Sequence, residues 1–126
     1  MNKTIINTPS APAPIGPYSQ AVSVNGMLFV SGQIPIIPET GELEARGIQA
    51  ETAQVMKNLG AILTEAGTDF SHVVKTSIFV ANMDDFAAVN DIYGRSFTEN
   101  PPARETVAVR TLPKNVNVEI SCIAAL

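Results

Sequence analysis

The chain has 126 residues, of which 45% are hydrophobic and 16% charged, so it is long enough to bury one core, too short for two and too apolar to stay disordered. Twelve Asp+Glu against eight Lys+Arg leave a net charge of -4, a field that repels polyanions and argues against nucleic acid or anionic lipid as partners. The single cysteine, Cys122, excludes an intrachain disulfide framework, no apolar run approaches the roughly 20 residues of a membrane span, and the first residues carry no signal- or transit-peptide pattern; a single domain over 1-126 in the cytoplasm is expected.

Along the chain, a short strand over 4-7 precedes a loop over 8-17, TPSAPAPIGP, whose four prolines fix backbone angles and remove donors. AVSV and MLFVSG flank Asn25-Gly26, the pair that best tolerates the two positive φ angles of a type I′ hairpin. A helix is predicted over 48-66, where Ile48, Thr52, Val55, Leu59, Ile62 and Ala66 recur at spacings of three and four and Gly67 follows as a stop. Residues 72-80 are β-branched and alternate, which predicts a strand on a half-buried sheet. Asp84 or Asp85 is expected to cap a second helix with the stripe Phe86, Val89, Tyr93 and Phe97, ended by Pro101 and Pro102. Two strands, 104-111 and 116-125, are predicted to close the chain as a hairpin across Leu112-Pro113-Lys114-Asn115. The order ββ-α-β-α-ββ with both helices on one sheet face is an α+β fold.

The predicted C-terminal hairpin is where chemistry is sought, because period-two alternation decides which side chains share a face. Pairing Leu112 with Asn115 puts Arg104, Thr106 and Ala108 on the face of Ile123, Ser121 and Glu119. Arg104 and Glu119 would then stand about 14 Å apart along the ladder at about 3.4 Å per residue, on the face that the helices leave uncovered. Val107, Val109, Val118, Ile120 and Cys122 would turn toward the helices. An Arg and a Glu on an exposed hairpin face are ordinarily a weak solvated pair. Covered by another subunit, the guanidinium would need an anion, and a planar carboxylate matches its fork. The low charge content and nine prolines are independent hints of such a partner surface. His72 has no second ligand at metal spacing, so no metal site is expected. Cys122 lies on the apolar parity without a nearby base and reads as a packed thiol. Tyr18 could close the proline loop over the sheet, and Gly32 could mark a bulge or a close backbone approach.

Four segments in order, APIGPYSQA, LFVSGQIP, NDIY and PPARETVAVRTLPKNVNVEISCIA, resemble the signature of the Rid family, the reactive-intermediate deaminases once called YjgF-type proteins. The resemblance covers almost the whole chain, the QVMKNLGAILTEAGTDFSHVVKT helix segment included. It implies a chorismate-mutase-like protomer assembled as a homotrimer, sheets inside and helices outside, with active sites at the subunit clefts. It also implies hydrolysis of enamine and imine intermediates such as 2-aminoacrylate to 2-keto acids and ammonia, without a cofactor. Carried over position by position, Arg104 of PPAR binds the substrate carboxylate and Glu119 of VEIS positions or activates water. Tyr18 and Gly32 line the pocket, with Ser31 as a neighbour. This chain departs from many deaminating members in carrying Thr106 where they have Cys and Glu105 where they have a small residue. Thr106 keeps a small polar group by the pocket, so altered but retained activity is expected.

Two other readings compete. Some relatives are described as endoribonucleases on single-stranded RNA, with Asn90, Pro102 and Arg104 as the matching positions here; the acidic balance argues against it. The same cleft could instead serve a non-catalytic metabolite sensor or chaperone, a distinction that turnover of a freshly generated imine makes.

Overall fold

A computed structural model describes all of residues 1-126. Six strands, β1 (Thr4–Ile6), β2 (Ala21–Val24), β3 (Met27–Gln33), β4 (Val73–Val80), β5 (Ala103–Ala108) and β6 (Val118–Ala125), and two helices, α1 (Ile48–Glu65) and α2 (Phe86–Gly94), form an α+β fold. The sheet order is β1-β2-β3-β6-β4-β5. Every neighbouring pair is antiparallel except β4 and β5, which run parallel. Both helices lie against one face. No helix is long and apolar enough to cross a membrane.

Local chemistry accounts for the first half. Asn25 and Gly26 take φ of 51° and 75°, the two left-handed positions of a type I′ turn, which twist β2 onto β3. In α1 the positions Val55, Leu59, Ile62 and Leu63 are buried against Leu28, Val30, Ile120 and Ala124 of the sheet; each such side chain contributes about 1.5–3 kcal/mol on leaving water. Gly67 follows with φ of 82°, and the Thr68 N–H donates to the Leu63 carbonyl at 3.0 Å, which closes the helix as a left-handed residue permits. β4 alternates, with Thr76, Ile78 and Val80 under the helices.

Four boundaries differ from expectation. Residues 70-72 form a 3-10 turn capped by Asp69, so β4 begins at Val73 and His72 stays outside it. Asn82, not Asp84 or Asp85, is the side-chain cap, accepting from the Asp84 N–H at 2.9 Å at the head of a 3-10 turn that leads into α2. The helix ends at Gly94, well before Pro101, although Phe97 still packs edge-on to Phe70 and beside Tyr93. β5 stops at Ala108, and residues 113-115 form a 3-10 turn before β6.

The larger correction is that 104-111 and 116-125 do not form a hairpin. β6 enters the middle of the sheet between β3 and β4, and β5 is left at the edge beside β4, parallel to it. Lateral partners share a face, so the row Arg104, Thr76, Cys122 lies on the helix side and the row Val107, Phe79, Glu119 on the open side. Arg104, Thr106 and Ala108 are thus opposite to the expected face, and so is Val107. Val118, Ile120 and Cys122 do face the helices, as their alternation predicts.

Candidate active site, divided between two faces of the sheet

Glu119 alternates with the fully buried Val118 and Ile120 and so projects to the open face. A bulge interrupts the β3–β6 pairing between Val30 and Gln33, which carries Gly32 across the Glu119 side chain. A Cβ built on Gly32 would lie only 2.9 Å from the Glu119 carboxyl carbon, so a residue without a side chain is needed for the carboxylate to fold against that backbone. Glu119, Gly32, Tyr18, Ile34, Ile36 and Pro113 line one cleft. Burial raises the Glu119 carboxyl above its ordinary 4.5, because a charge is costly where water is scarce. The cleft measures about 80 Å³, below the roughly 300–1,000 Å³ of a complete small-molecule site.

Two buried amides hold its lips. Gln20 Oε1 accepts from the Thr8 N–H at 2.7 Å, and its Nε2 donates to the carbonyls of Thr8, Ala11 and Pro12 at 3.0, 3.3 and 3.0 Å. One side chain thereby ties the proline loop to the start of β2 and fixes the approach of Tyr18. On the other lip, Asn58 Nδ2 of α1 donates to the carbonyls of Ile34 and Ile36 at 3.2 and 2.9 Å. Behind the cleft, the buried Glu51 accepts from the backbone N–H and Nδ2 of Asn117, at 3.3 and 2.9 Å, just ahead of β6. Buried polar groups of this kind are stabilising only when satisfied, and these are.

Arg104 belongs to the other face. Its Nη1 donates to Asn90 Oδ1 of α2 at 2.6 Å, and its guanidinium carbon lies 5.1 Å from the Tyr93 ring centre and 5.5 Å from that of Phe86. Such rings attract a cation through their negative faces. Tyr93 is itself fixed through a 2.7 Å hydrogen bond with Thr76; burial pushes its phenol up, against the Thr76 hydrogen bond and the Arg104 charge. Arg104 has no carboxylate partner. Two residues on, and on the same side, the Thr106 hydroxyl oxygen is buried with no hydrogen-bond partner, an unusual state for a polar atom.

Of the residues singled out from the sequence, Tyr18, Gly32 and Glu119 come together in the cleft, and Arg104 and Asn90 in contact on the far face with Thr106 beside them. Ser31 joins neither: its hydroxyl donates to the Ser19 carbonyl at 2.6 Å and serves the loop. Glu105 faces the open side, bonded to Ser77 and paired with Lys75 at 2.9 Å; these contacts, Ser77 first, hold its carboxyl below the ordinary value. Cys122 is buried and its thiol is pushed up to about 12, which leaves it an unreactive packing group. Gln20, Asn58 and Glu51 escaped sequence reasoning. Asn58 and Glu51 did carry a signal, since they fall at spacings of three and four with Val55 and Ile62 on the apolar stripe of α1.

The endoribonuclease L-PSP family model matches residues 8–126. The chain is 46% identical, over its whole length, to Reactive Intermediate Deaminase A, chloroplastic, of Arabidopsis thaliana, covering 67% of that protein. This chain belongs to the Rid family. A mouse Rid relative, 2-iminobutanoate/2-iminopropanoate deaminase, is 47% identical over 97% of this chain and 90% of its own. A Rid protein of unknown function from Yersinia pestis superposes with a TM-score of 0.97 at 49% identity, covering 99% of this chain and 100% of the other. The chorismate-mutase-like architecture of Rid proteins is the fold found here.

Proposed function

We propose that this chain hydrolyses reactive 2-imino acids and their enamine tautomers, such as 2-aminoacrylate, to 2-keto acids and ammonia, with no cofactor, at sites formed between the protomers of a cytoplasmic homotrimer. The observation that carries the reading is the division of the site. A guanidinium held ready without an anion and a carboxyl of raised affinity for protons project from opposite faces of one sheet, so they can act on one molecule only if they come from two copies. The open face suits burial by a second copy, with Phe29 and Val107 exposed at 45% and 43%. The names of the Arabidopsis and mouse relatives support the chemistry.

In this reaction Arg104 takes the substrate carboxylate through its free N–H edge, since Asn90 occupies only Nη1. Glu119 of the adjoining copy accepts a proton from water as its oxygen bonds to the electrophilic imine carbon. The same carboxyl returns that proton to nitrogen to give a carbinolamine; it then takes the hydroxyl proton and passes it to the amine, so that the C=O bond forms as the C–N bond breaks and ammonia leaves. Thr106 offers its unpartnered hydroxyl, and Tyr18 and Gly32 shape the wall. RNA is a poorer fit, because the chain carries a net charge of -4 and the cleft presents the Glu119 carboxylate, whereas binding a run of phosphates calls for several cations.

The test is turnover of an imine generated freshly by an amino-acid oxidase. The purified protein should hasten loss of the imine and release of ammonia well above the uncatalysed rate. A rate equal to background would leave a binding protein and overturn the reading.

A further inference from the structure

The Glu119 cleft does not end at its floor. A second cleft shares Pro12, Ala13, Ile15 and Ile36 with it and continues to Pro38, Gly41 and Lys114, so the two form one groove. Its walls are apolar, and Lys114 is the one charged residue lining the outer part. The Ile36 wall is braced by the Asn58 hydrogen bond and by the bridge from Ile36 to Leu43. The ammonium has no carboxylate within ion-pair distance.

The backbone at the end of the groove is itself unusual. Lys114 and Asn115 both take φ of 56°, consecutive left-handed residues that a Cβ disfavours and that persist only where surroundings impose them. Asn tolerates this state; Lys has no intrinsic reason to adopt it. The turn is closed by the Asn115 N–H on the Leu112 carbonyl at 2.9 Å, directly after Pro113, which lines the inner cleft. One rigid turn therefore joins the wall of the inner cleft to an unpaired cation at the outer end.

We propose that this groove is the side-chain subsite and that Lys114 selects 2-imino acids whose aliphatic side chain ends in an anion. The proposal rests on the deaminase reading above and adds to it the class of side chain. An apolar trough accepts methylene groups, and an exposed ammonium at its end favours a terminal carboxylate by the modest amount of a solvated ion pair.

The imines of 2-aminoadipate and norleucine, generated by an amino-acid oxidase, differ chiefly in that terminal group. The kcat/KM ratio of the first to the second should fall about threefold in Lys114→Asn, which keeps a residue tolerant of the left-handed turn, and about tenfold in Lys114→Glu. Lys114→Arg should retain the ratio, and added salt should lower it in wild type. The same ratio in wild type and Lys114→Glu would overturn the subsite. Calorimetry with adipate and hexanoate reads the preference without chemistry. Adipate should bind wild type more tightly than hexanoate does, and Lys114→Glu should lose the difference; equal binding in both proteins overturns the proposal. Lys114-dependent adipate binding without imine turnover would refute the deaminase reading and keep the subsite, whereas turnover insensitive to Lys114 would do the reverse.

Discussion

Arg104 and Glu119 occupy opposite faces of the same sheet. Arg104 shares a lateral row with Thr76 and Cys122 beneath the helices, and Glu119 shares one with Phe79 on the open side. The β4 strand stands between theirs, so no rotamer lets both side chains of one copy reach one small molecule.

Complementation between copies follows directly. Arg104→Ala and Glu119→Gln should each be nearly inactive, yet oligomers reassembled from an equal mixture should recover about a quarter of wild-type turnover, because random pairing restores about one intact site in four. No recovery despite proven subunit mixing would place both groups within one protomer. A monomeric mass by light scattering for the active wild type would exclude the divided site outright.

Arg104→Lys keeps the charge but loses the planar fork and its stacking on Tyr93 and Phe86. We expect kcat/KM to fall by at least about tenfold, mostly through KM, with the assembly unchanged. Wild-type kinetics would reduce Arg104 to a surface cation.

Glu119→Gln keeps the shape and removes the base, so turnover should fall by about 10²-fold while carboxylate ligands still bind. The wild-type acid limb should lie above 4.5, the ordinary carboxyl value, because burial raises this group. The sign for stability runs the other way. A carboxyl whose folded affinity for protons exceeds its unfolded one lowers stability as pH rises from the unfolded value through the folded value, and the cost persists above it. Glu119→Gln should therefore melt higher than wild type at neutral pH, the gap closing on acidification below about pH 4. A lower melting temperature at neutral pH would contradict the burial argument.

Gly32→Ala tests the close approach at the bulge. Gly32 is not in a left-handed conformation, so the added methyl acts by contact alone and must push the Glu119 carboxyl aside. Turnover should drop by at least about tenfold, as small displacements of a positioned base do, with circular dichroism unchanged. Full activity would mean that Glu119 acts from another rotamer.

Local rules sufficed wherever neighbours in sequence are neighbours in space. The Asn25-Gly26 hairpin, the α1 stripe with its Gly67 stop, the alternation of β4 and of Val118, Ile120 and Cys122, and the α+β class were all legible in the sequence. So were Tyr18, Gly32 and Glu119 as cleft residues, through motif resemblance; the contact of Arg104 with Asn90 was not. What only the tertiary structure decided is how β5 and β6 are placed. Residues 103-108 and 118-125 look like a hairpin because they are adjacent and joined by a short turn, but strand pairing is a long-range choice governed by which edge buries more apolar surface. β6, apolar at every second residue, is drawn into the centre between β3 and β4. β5, with only half-buried Thr106 and otherwise exposed positions, is left at the edge. That exchange reverses the parity of β5 relative to β6, because one intervening strand resets the register. It carries Arg104 to the helix side and makes a site that adjacency in sequence assigns to one protomer depend on two.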